Sequence, residues 1–284
     1  MAPAPRVVLT IAGFDPSSGA GVTADIKTIA AHGCYGVACI TALTVQSTSG
    51  VFRSEPLSAS IISETLKELA ADMDISAVKI GMLGSTAVVV AVADFLERVK
   101  LPNVVLDPIL KSTSGSTLLG EEGQRALVSR LLPLANVITP NVDEAAALTG
   151  VAVSNLHQMK KAATQLHQLG AAVVVITGGH LEKAIDLLSY PSADGNFENQ
   201  AYKAERHRSR STHGTGCAFS TAIACHLAQG RRIPESVLLA KAYVTAAILN
   251  AQPLGRGIGP VHHLYRLYQT PRRAALVEDP EPVS

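Results

Sequence analysis

The sequence has little of what marks several classes of protein. It has 284 residues with no tryptophan, only 4% aromatic residues and a formal net charge of +1. A charge so close to zero gives no electrostatic basis for binding nucleic acid or a membrane surface. The short basic segment 206–210 lacks interleaved aromatic residues, and we interpret it as a solvated loop.

Long apolar runs and cysteine patterns are also missing. Segments such as 87–93 fall far short of the roughly 20 apolar residues that span a bilayer, and 7–11 is too short for a signal-peptide core. The cysteines are Cys34, Cys39, Cys217 and Cys225. Their spacing matches no zinc site, and a chain of this length does not depend on disulfides. We therefore expect reduced thiols in a cytoplasmic protein.

Neither of two common nucleotide-binding fingerprints occurs. A strand, a Gly- and Ser-rich loop over 12–21 and a helix open the chain like a nucleotide-binding βα unit. However, the glycine spacing is not G-x-G-x-x-G, and no G-x-x-x-x-G-K-[ST] is present. The sequence thus disfavours a dinucleotide-dependent dehydrogenase and a P-loop protein.

Short apolar runs do alternate regularly with helical patterns. Strands are predicted over 7–11, 36–45, 77–80, 103–106, 135–139 and 172–176, with an antiparallel pair, 185–188 and 200–205, around a turn at 194–196. Helices are predicted over 22–32, 61–71, 85–99, 121–132, 143–148, 156–169, 217–227 and 235–250. Uniformly apolar strands between helices predict one doubly wound, mostly parallel sheet in a three-layer α/β/α fold. We expect one domain over 1–270 and a flexible tail over 271–284.

Polar residues gather where the predicted strands end: Asp15, Gln46, Asp107, Asn141 and Thr177. Ligands of open α/β sheets bind beyond the carboxyl ends of the strands. The segment Gly214-Thr215-Gly216-Cys217 is a glycine turn that leads into a helix, whose unpaired N–H groups and positive dipole end suit an anion. We expect Cys217 at the first helical position, where its thiol could act as a base if the helix N-terminus lowers its pKa toward the working pH. Taken alone, the segment is equally typical of a loop-to-helix junction with a buried thiol.

Several segments, in order along 6–268, resemble the hydroxymethylpyrimidine/phosphomethylpyrimidine kinases of thiamine biosynthesis, which belong to the ribokinase superfamily. These segments are 12–21 with Ala24-Asp25, 41–46, 79–83, Asp107-Pro108, 139–141 with Glu144, 177–180, 214–217 and 255–260. The resemblance implies a single-domain ribokinase-like fold, a homodimer, and ATP-dependent phosphorylation of the pyrimidine's hydroxymethyl group and then of the monophosphate.

The resemblance also implies roles for individual residues. The amides of Gly214, Thr215 and Gly216 would hold the transferred phosphoryl group, and Cys217 would deprotonate or orient the hydroxymethyl group. The implied substrate residues are Gly13, Asp25, Gln46 and Met82, and the implied nucleotide residues are Asp107, Asn141, Thr177 and Gly179. Glu144, together with Asn141, would hold a hydrated Mg²⁺. Gln46 offers a donor and an acceptor, which suits an aminopyrimidine edge.

Plainer interpretations and rival functions stay open. Asn141 and Glu144 also suit a helix start, and Asp107 suits a turn before proline. Lys111 and Thr113 depart from the family pattern and are left out of the predicted site. Pyridoxal kinase is the nearest rival, although Cys217 in place of the Asp of those kinases weighs against it; a nucleotide-binding regulator without catalysis is the second.

Overall fold

The computed structural model describes residues 4–112, 115–179, 184–192, 194–204 and 209–269. Thr113, His180, the first three residues of the basic segment and the predicted tail 271–284 lie outside these ranges. Over the described residues, no helix combines the length and the apolar character that crossing a membrane requires.

One mixed sheet forms the middle layer. Its strands are β1 Val7–Phe14, β2 Tyr35–Ser47, β3 Gly50–Pro56, β4 Ile75–Ile80, β5 Val104–Leu106, β6 Val137–Ile138, β7 Val174–Ile176, β8 Ala184–Pro191 and β9 Phe197–Ala204. They lie in the order β3-β2-β1-β4-β5-β6-β7-β8-β9. The strands from β2 to β7 pair in parallel, while β3, β8 and β9 are antiparallel at the two edges. The predicted sheet is confirmed, but β3 was missed because its short sequence, GVFRSEP, is polar and mostly exposed.

The helices cover both faces of the sheet. They are α1 Gly21–Ala31, α2 Ala59–Asp72, α3 Thr86–Val99, α4 Glu121–Ala126, α5 Val142–Thr149, α6 Leu156–Gln168, α7 Thr215–Ala228, α8 Ile233–Leu249 and the short α9 Arg266–Gln269. The side chain of Ser85 caps α3 by accepting a hydrogen bond from Val88 N–H, so this helix begins at the predicted place. The predicted helix 121–132 is wrong in detail, since α4 passes into a π-helical turn at Leu127–Leu131 and then a 3₁₀ turn that contains Pro133.

Strand alternation sends different side chains to the two faces. Leu9, Val78 and Leu106 pack in one cluster with α2, α3 and α6. Val8 and Ala77 pack in the other with α7 and α8. Because side chains alternate along a strand, the polar residues Thr10, Lys79, Asp107 and Thr139 point toward the second face. The alternation therefore places these polar groups on the face of the sheet that α1, α7 and α8 cover.

Candidate active site

A cleft of about 1780 Å³ opens at the carboxyl ends of the parallel strands. Twelve of the thirteen predicted site residues line it: Gly13, Gln46, Met82, Asp107, Asn141, Glu144, Thr177, Gly179, Gly214, Thr215, Gly216 and Cys217. Its position beyond the strand ends is the one expected for an open α/β sheet.

The glycine turn before α7 is confirmed, and its geometry explains the first glycine. Gly214 precedes the helix with φ of 80°, and a Cβ there would lie 1.8 Å from the carbonyl oxygen of Gly19. The helix begins at Thr215, so Cys217 is its third residue and not its first. The first-turn N–H groups of a helix have no intrahelical acceptor and can face an anion.

The thiol of Cys217 is buried at the floor of the cleft. Burial raises its pKa to about 12; the nearby Lys79 ammonium works against this rise, whereas the Asp25 and Asp107 carboxylates add to it. The condition for a base, a thiol pKa lowered by the helix N-terminus, is therefore not met. A neutral thiol is suited to orient a hydroxyl group.

Beneath Cys217 lies a buried ion pair that the sequence did not reveal. Lys79 Nζ lies 3.1 and 3.0 Å from the two carboxylate oxygens of Asp25, and both side chains are 0% exposed. Thr10 and Thr221 also donate to this carboxylate, at 2.6 and 2.7 Å. Burial favours the neutral amine, but Asp25 outweighs it and raises the pKa of Lys79. A Cβ at position 81 would lie 2.8 Å from Lys79 Nζ, so Gly81 leaves room for the ammonium.

The same network corrects the role of Asp25. We predicted that Asp25 binds substrate directly, yet it does not line the cleft, and its two oxygens are taken by Lys79, Thr10 and Thr221. Direct substrate contact is thus wrong for this carboxylate, whose influence on the cleft passes through Lys79.

Two carboxylates, Asp107 and Glu144, face the cleft. Burial raises the pKa of Asp107 to about 6, although Lys79 and a 3.0 Å hydrogen bond from Ser220 Oγ oppose the rise. Burial and the charge of Asp107 raise the pKa of Glu144 to about 8. The charge of Asp107 thus makes Glu144 costlier to ionise, and a cation beside the two carboxylates would relieve this cost. This donor set fits Mg²⁺, which commonly takes one or two carboxylates together with nucleotide phosphates.

Asn141 caps helix α5, as its plainer interpretation predicted. Its Oδ1 accepts hydrogen bonds of 2.9 Å from the N–H groups of Asp143 and Glu144, while Glu144 Oε2 accepts from Asn141 N–H at 2.9 Å. This is a reciprocal capping box. Because both lone pairs of Asn141 Oδ1 are used, the Mg²⁺ ligand of the predicted pair would be Glu144, with the Asn141 NH₂ group left to face a phosphate.

The substrate end of the cleft brings together Gly13, Met82 and Gln46. A Cβ at Gly13 would lie 2.9 Å from Met82 Sδ, so the glycine makes room for the thioether. Thr41 Oγ1 fixes the strand end by donating to Met82 O at 2.5 Å. His213, which we did not predict as a site residue, lies 3.2 Å from the Gln46 amide through Nε2.

The other end is built mainly from backbone. Thr177 N–H donates to Pro140 O at 2.9 Å, which holds the ends of β6 and β7 together. Gly178 N–H donates to Asp186 Oδ1 at 3.0 Å, and Lys241 forms an ion pair with Asp186. Gly179 lines the cleft beside them. The assignment of this end to the nucleotide stays a prediction.

Comparison with known proteins identifies the family. The sequence pattern described as phosphomethylpyrimidine kinase matches residues 15–262. The chain belongs to the phosphomethylpyrimidine kinase family. This confirms the resemblance seen in the sequence.

Relatives in this family match nearly the whole chain. The hydroxymethylpyrimidine/phosphomethylpyrimidine kinase of Rhizobium meliloti is 43% identical over 268 residues, covering 93% of this chain and 98% of that protein. The thiamine biosynthesis bifunctional protein of Geobacter sulfurreducens is also 43% identical over 267 residues, but the chain spans only 53% of its length.

Solved structures confirm the ribokinase-like α/β fold. The phosphomethylpyrimidine kinase of Clostridium difficile is 39% identical with a TM-score of 0.76, covering 86% of this chain and 99% of that one. The pyridoxal kinase of Bacillus subtilis, solved as an ADP complex, is 34% identical with a TM-score of 0.83, covering 93% of this chain and 100% of that one. The phosphomethylpyrimidine kinases are thus nearer in sequence than this pyridoxal kinase.

Proposed function

We propose that the chain transfers phosphate from ATP to 4-amino-5-hydroxymethyl-2-methylpyrimidine, and then to the monophosphate. The observation that carries this proposal is a single cleft in which the Gly13–Met82–Gln46 end adjoins the glycine turn and Cys217 at the start of α7. The names of the phosphomethylpyrimidine kinase relatives supply the substrate.

The proposed chemistry depends on position and charge. Phosphoryl transfer needs an aligned hydroxyl group and stabilised phosphate oxygens more than it needs covalent participation by the protein. The backbone N–H groups of Gly214 to Cys217 would hold the transferred group. The neutral thiol of Cys217 would orient the hydroxymethyl oxygen, and the fixed charge of Lys79 beneath it would offset negative charge that collects in the cleft.

ATP is proposed as the phosphate donor, since the related pyridoxal kinase binds ADP. Thr177, Gly179 and the Asn141 NH₂ group would face the nucleotide. Asp107 and Glu144 would hold a hydrated Mg²⁺, which when bound would neutralise phosphate oxygens. Among the described residues, no group of three or more His, Cys, Asp or Glu is placed to bind a metal, so the nucleotide phosphates would complete the coordination.

The testing experiment is a coupled kinase assay with Mg·ATP and three separate acceptors: the hydroxymethylpyrimidine, its monophosphate and pyridoxal. We expect turnover of both pyrimidines and little of pyridoxal. Preference for pyridoxal would favour the alternative function, pyridoxal kinase, which the fold likeness to the Bacillus enzyme supports. ADP release that is absent with every acceptor would favour a regulatory protein.

We further propose that the chain forms a homodimer in the cytoplasm. Leu43 and Val45 on β2 and Phe52 on β3 are 47%, 52% and 71% exposed, and exposed large apolar residues at a sheet edge suit a protein–protein interface. The four cysteines are free thiols, as suits a reducing compartment. Light scattering should give twice the 29.6 kDa chain mass, and Val45→Lys with Phe52→Lys should halve it.

A further inference from the structure

His213 has two neighbours at one ring nitrogen, and they make opposite demands. Its Nε2 lies 2.8 Å from Asp15 Oδ2 and 3.2 Å from the Gln46 amide nitrogen. Asp15 is ionised, because hydrogen bonds outweigh burial and lower the pKa of its carboxyl. A carboxylate only accepts, so His213 Nε2 must carry a hydrogen. That hydrogen leaves two donors, Nε2–H of His213 and the NH₂ group of Gln46, facing each other.

Thr44, on the other side of Gln46, presents a matching conflict. Its hydroxyl lies 2.9 Å from Phe14 O and 3.2 Å from Gln46 Oε1. One hydroxyl has one hydrogen, and the shorter contact is with the carbonyl, which can only accept. The hydroxyl oxygen is then left with lone pairs toward Gln46, so two acceptors face each other there.

A half-turn of the Gln46 amide relieves both conflicts. Gln46 Oε1 then shares the Nε2 hydrogen of His213 with Asp15 Oδ2 in a three-centre hydrogen bond, and Gln46 Nε2 donates to Thr44 Oγ1. The orientation of an amide is assigned from its hydrogen-bond partners. We propose that Asp15 and His213 from one side, and Thr44 from the other, hold the Gln46 amide with its oxygen toward His213 and its nitrogen toward Thr44. Asp15 and His213 are thus positioning residues for substrate recognition.

The ring that imposes this orientation is itself fixed. A Cβ at Gly19 would lie 2.2 Å from His213 Cδ2, so the ring packs directly on that glycine. The Asp15 carboxylate is held by Ser17 N–H, Ser17 Oγ and Ala20 N–H at 2.7 to 2.9 Å. The side chains of His213 and Asp15 are only 11% and 4% exposed. The amide of Gln46 therefore faces a donor whose position is fixed, and this donor determines the orientation of the amide.

A fixed amide presents one donor–acceptor order to a ligand. One lone pair of Oε1 and one hydrogen of Nε2 remain on its open edge. They complement a ring that offers an amino N–H beside an unprotonated ring nitrogen, as a 4-aminopyrimidine does. The proposed function directs the hydroxymethyl group at Cys217, so the ring cannot turn over. A 4-oxopyrimidine then sets its carbonyl oxygen against Gln46 Oε1 and its ring N–H against Gln46 Nε2, and both contacts are unfavourable. Resting on the proposed function, this inference makes Asp15 and His213 the source of discrimination between amino and oxo rings.

The test compares two acceptors that differ only at this edge: 4-amino-5-hydroxymethyl-2-methylpyrimidine and its 4-oxo analogue. kcat/KM and, without ATP, the calorimetric Kd are measured for both. We expect the wild-type protein to favour the amino compound by about 100-fold or more, because a reversed hydrogen-bond edge leaves buried polar groups unpaired. In His213→Phe the amide can turn, so the preference should fall at least about tenfold.

Matched variants separate positioning from a structural effect. His213→Gln restores a donor near the place of Nε2 and should return the preference to within about threefold of wild type. Thr44→Val removes the opposite contact and should lower the preference even if His213→Phe fails to fold, which thermal unfolding would reveal. An unchanged amino-to-oxo ratio in folded His213→Phe or Thr44→Val would overturn this inference alone. A wild-type protein that leaves the amino compound unphosphorylated would overturn the proposed function and the inference with it.

Discussion

The two faces of the sheet bury different kinds of side chain. The residues that α2, α3 and α6 bury are all apolar, from Leu66 on α2 to Phe95 on α3. On the opposite face, α1 buries Asp25 and α7 buries His226 among other polar residues. Both faces are closely packed, so the difference lies in chemistry and not in burial.

This difference shows which face of the sheet contains groups whose burial costs free energy. An apolar face stabilises the fold in proportion to the area that it buries. A buried charge must be paired and hydrogen-bonded merely to avoid destabilising it. The face that α1, α7 and α8 cover, here called the polar face, contains Lys79, Asp107 and Cys217, which line the cleft. The buried groups that cost free energy are therefore the ones that the proposed reaction uses. The predictions below test that division, from the largest expected effect to the smallest.

Removing Lys79 should damage both stability and activity. Lys79→Met leaves the carboxylate of Asp25 buried without its cation, and we expect the free energy of unfolding to fall by about 3–5 kcal/mol in urea titrations. Leu66→Ala on the apolar face should lower the free energy of unfolding by a similar amount, about 2–5 kcal/mol, because packing contacts are lost. Only the first should also lower kcat, since only Lys79 faces Cys217 and Asp107.

A double variant sharpens this contrast. Lys79→Met with Asp25→Asn removes both charges, so much of the lost stability should return while kcat stays low. If the double variant recovered full kcat, Lys79 would act only as a structural partner of Asp25. If Lys79→Met and Leu66→Ala lost equal kcat at a temperature where both are folded, the claim that only the polar face contributes to the reaction would be wrong.

Cys217 tests whether the polar face orients the acceptor or deprotonates it. Because the pKa of its thiol is raised to about 12, we expect orientation by a neutral group. Cys217→Ala should lower kcat by about 10²–10³-fold, whereas Cys217→Ser, which keeps a hydrogen-bonding group, should stay within about tenfold of wild type. The coupled kinase assay measures both.

Cys225 provides the matched control. It is a buried cysteine two turns further along α7 and does not line the cleft. Cys225→Ala should keep kcat and lose only stability. Should Cys217→Ser lose as much activity as Cys217→Ala, and should kcat follow a single ionisation, the thiolate would be acting as a base.

The polar face should also make the fold sensitive to acid. Burial, as the largest cause, lowers the pKa of His32 and of His263 from 6.5 to about 4. Between pH 6.5 and about pH 4, these histidines bind protons in the unfolded chain but not in the folded chain. Their contribution to stability is therefore fully present above pH 6.5 and is lost as the pH falls toward 4. Each histidine should account for about 2–3 kcal/mol of this loss.

Urea unfolding at pH 7 and pH 5 would measure that loss. His263→Asn keeps a nitrogen close to Thr28 Oγ1, which His263 Nδ1 contacts at 3.2 Å, and it should flatten the pH dependence. His157→Asn, on the exposed side of α6, should not. Equal pH dependence in the two variants would show that acid acts elsewhere in the fold.

The sequence predicted the sheet and most of the cleft because both follow from local patterns. Apolar runs mark the parallel strands, and strand ends converge at one edge of such a sheet. The glycine turn before α7 was also visible, since glycine spacing is a local property. Lys79 left a trace as well: it is a lone charge in an otherwise apolar strand, and such a charge needs a buried partner.

What the sequence could not predict depends on distances between segments far apart in the chain. Asp25 and Lys79 are separated by 54 positions, and His213 and Asp15 by 198. The pKa of Cys217 depends on burial and on the charges of Lys79, Asp25 and Asp107, none of which the helix N-terminus by itself reveals. For Asn141 the sequence left two roles open, a helix cap and a nucleotide contact, which the structure allows together.

Asn141 and Asn155 separate these two roles. Both cap helices, α5 and α6, by accepting backbone N–H groups, but only Asn141 lines the cleft. Replacing either with alanine should cost about 1 kcal/mol of unfolding free energy. Asn141→Ala should in addition raise the KM for ATP severalfold, because its NH₂ group would no longer face a phosphate. Asn155→Ala should leave the KM unchanged, which makes it an internal standard for the stability effect alone.

If the two variants had equal KM values, the Asn141 side chain would serve only as a cap, and nucleotide recognition at this end would depend on Glu144 and the backbone near Thr177.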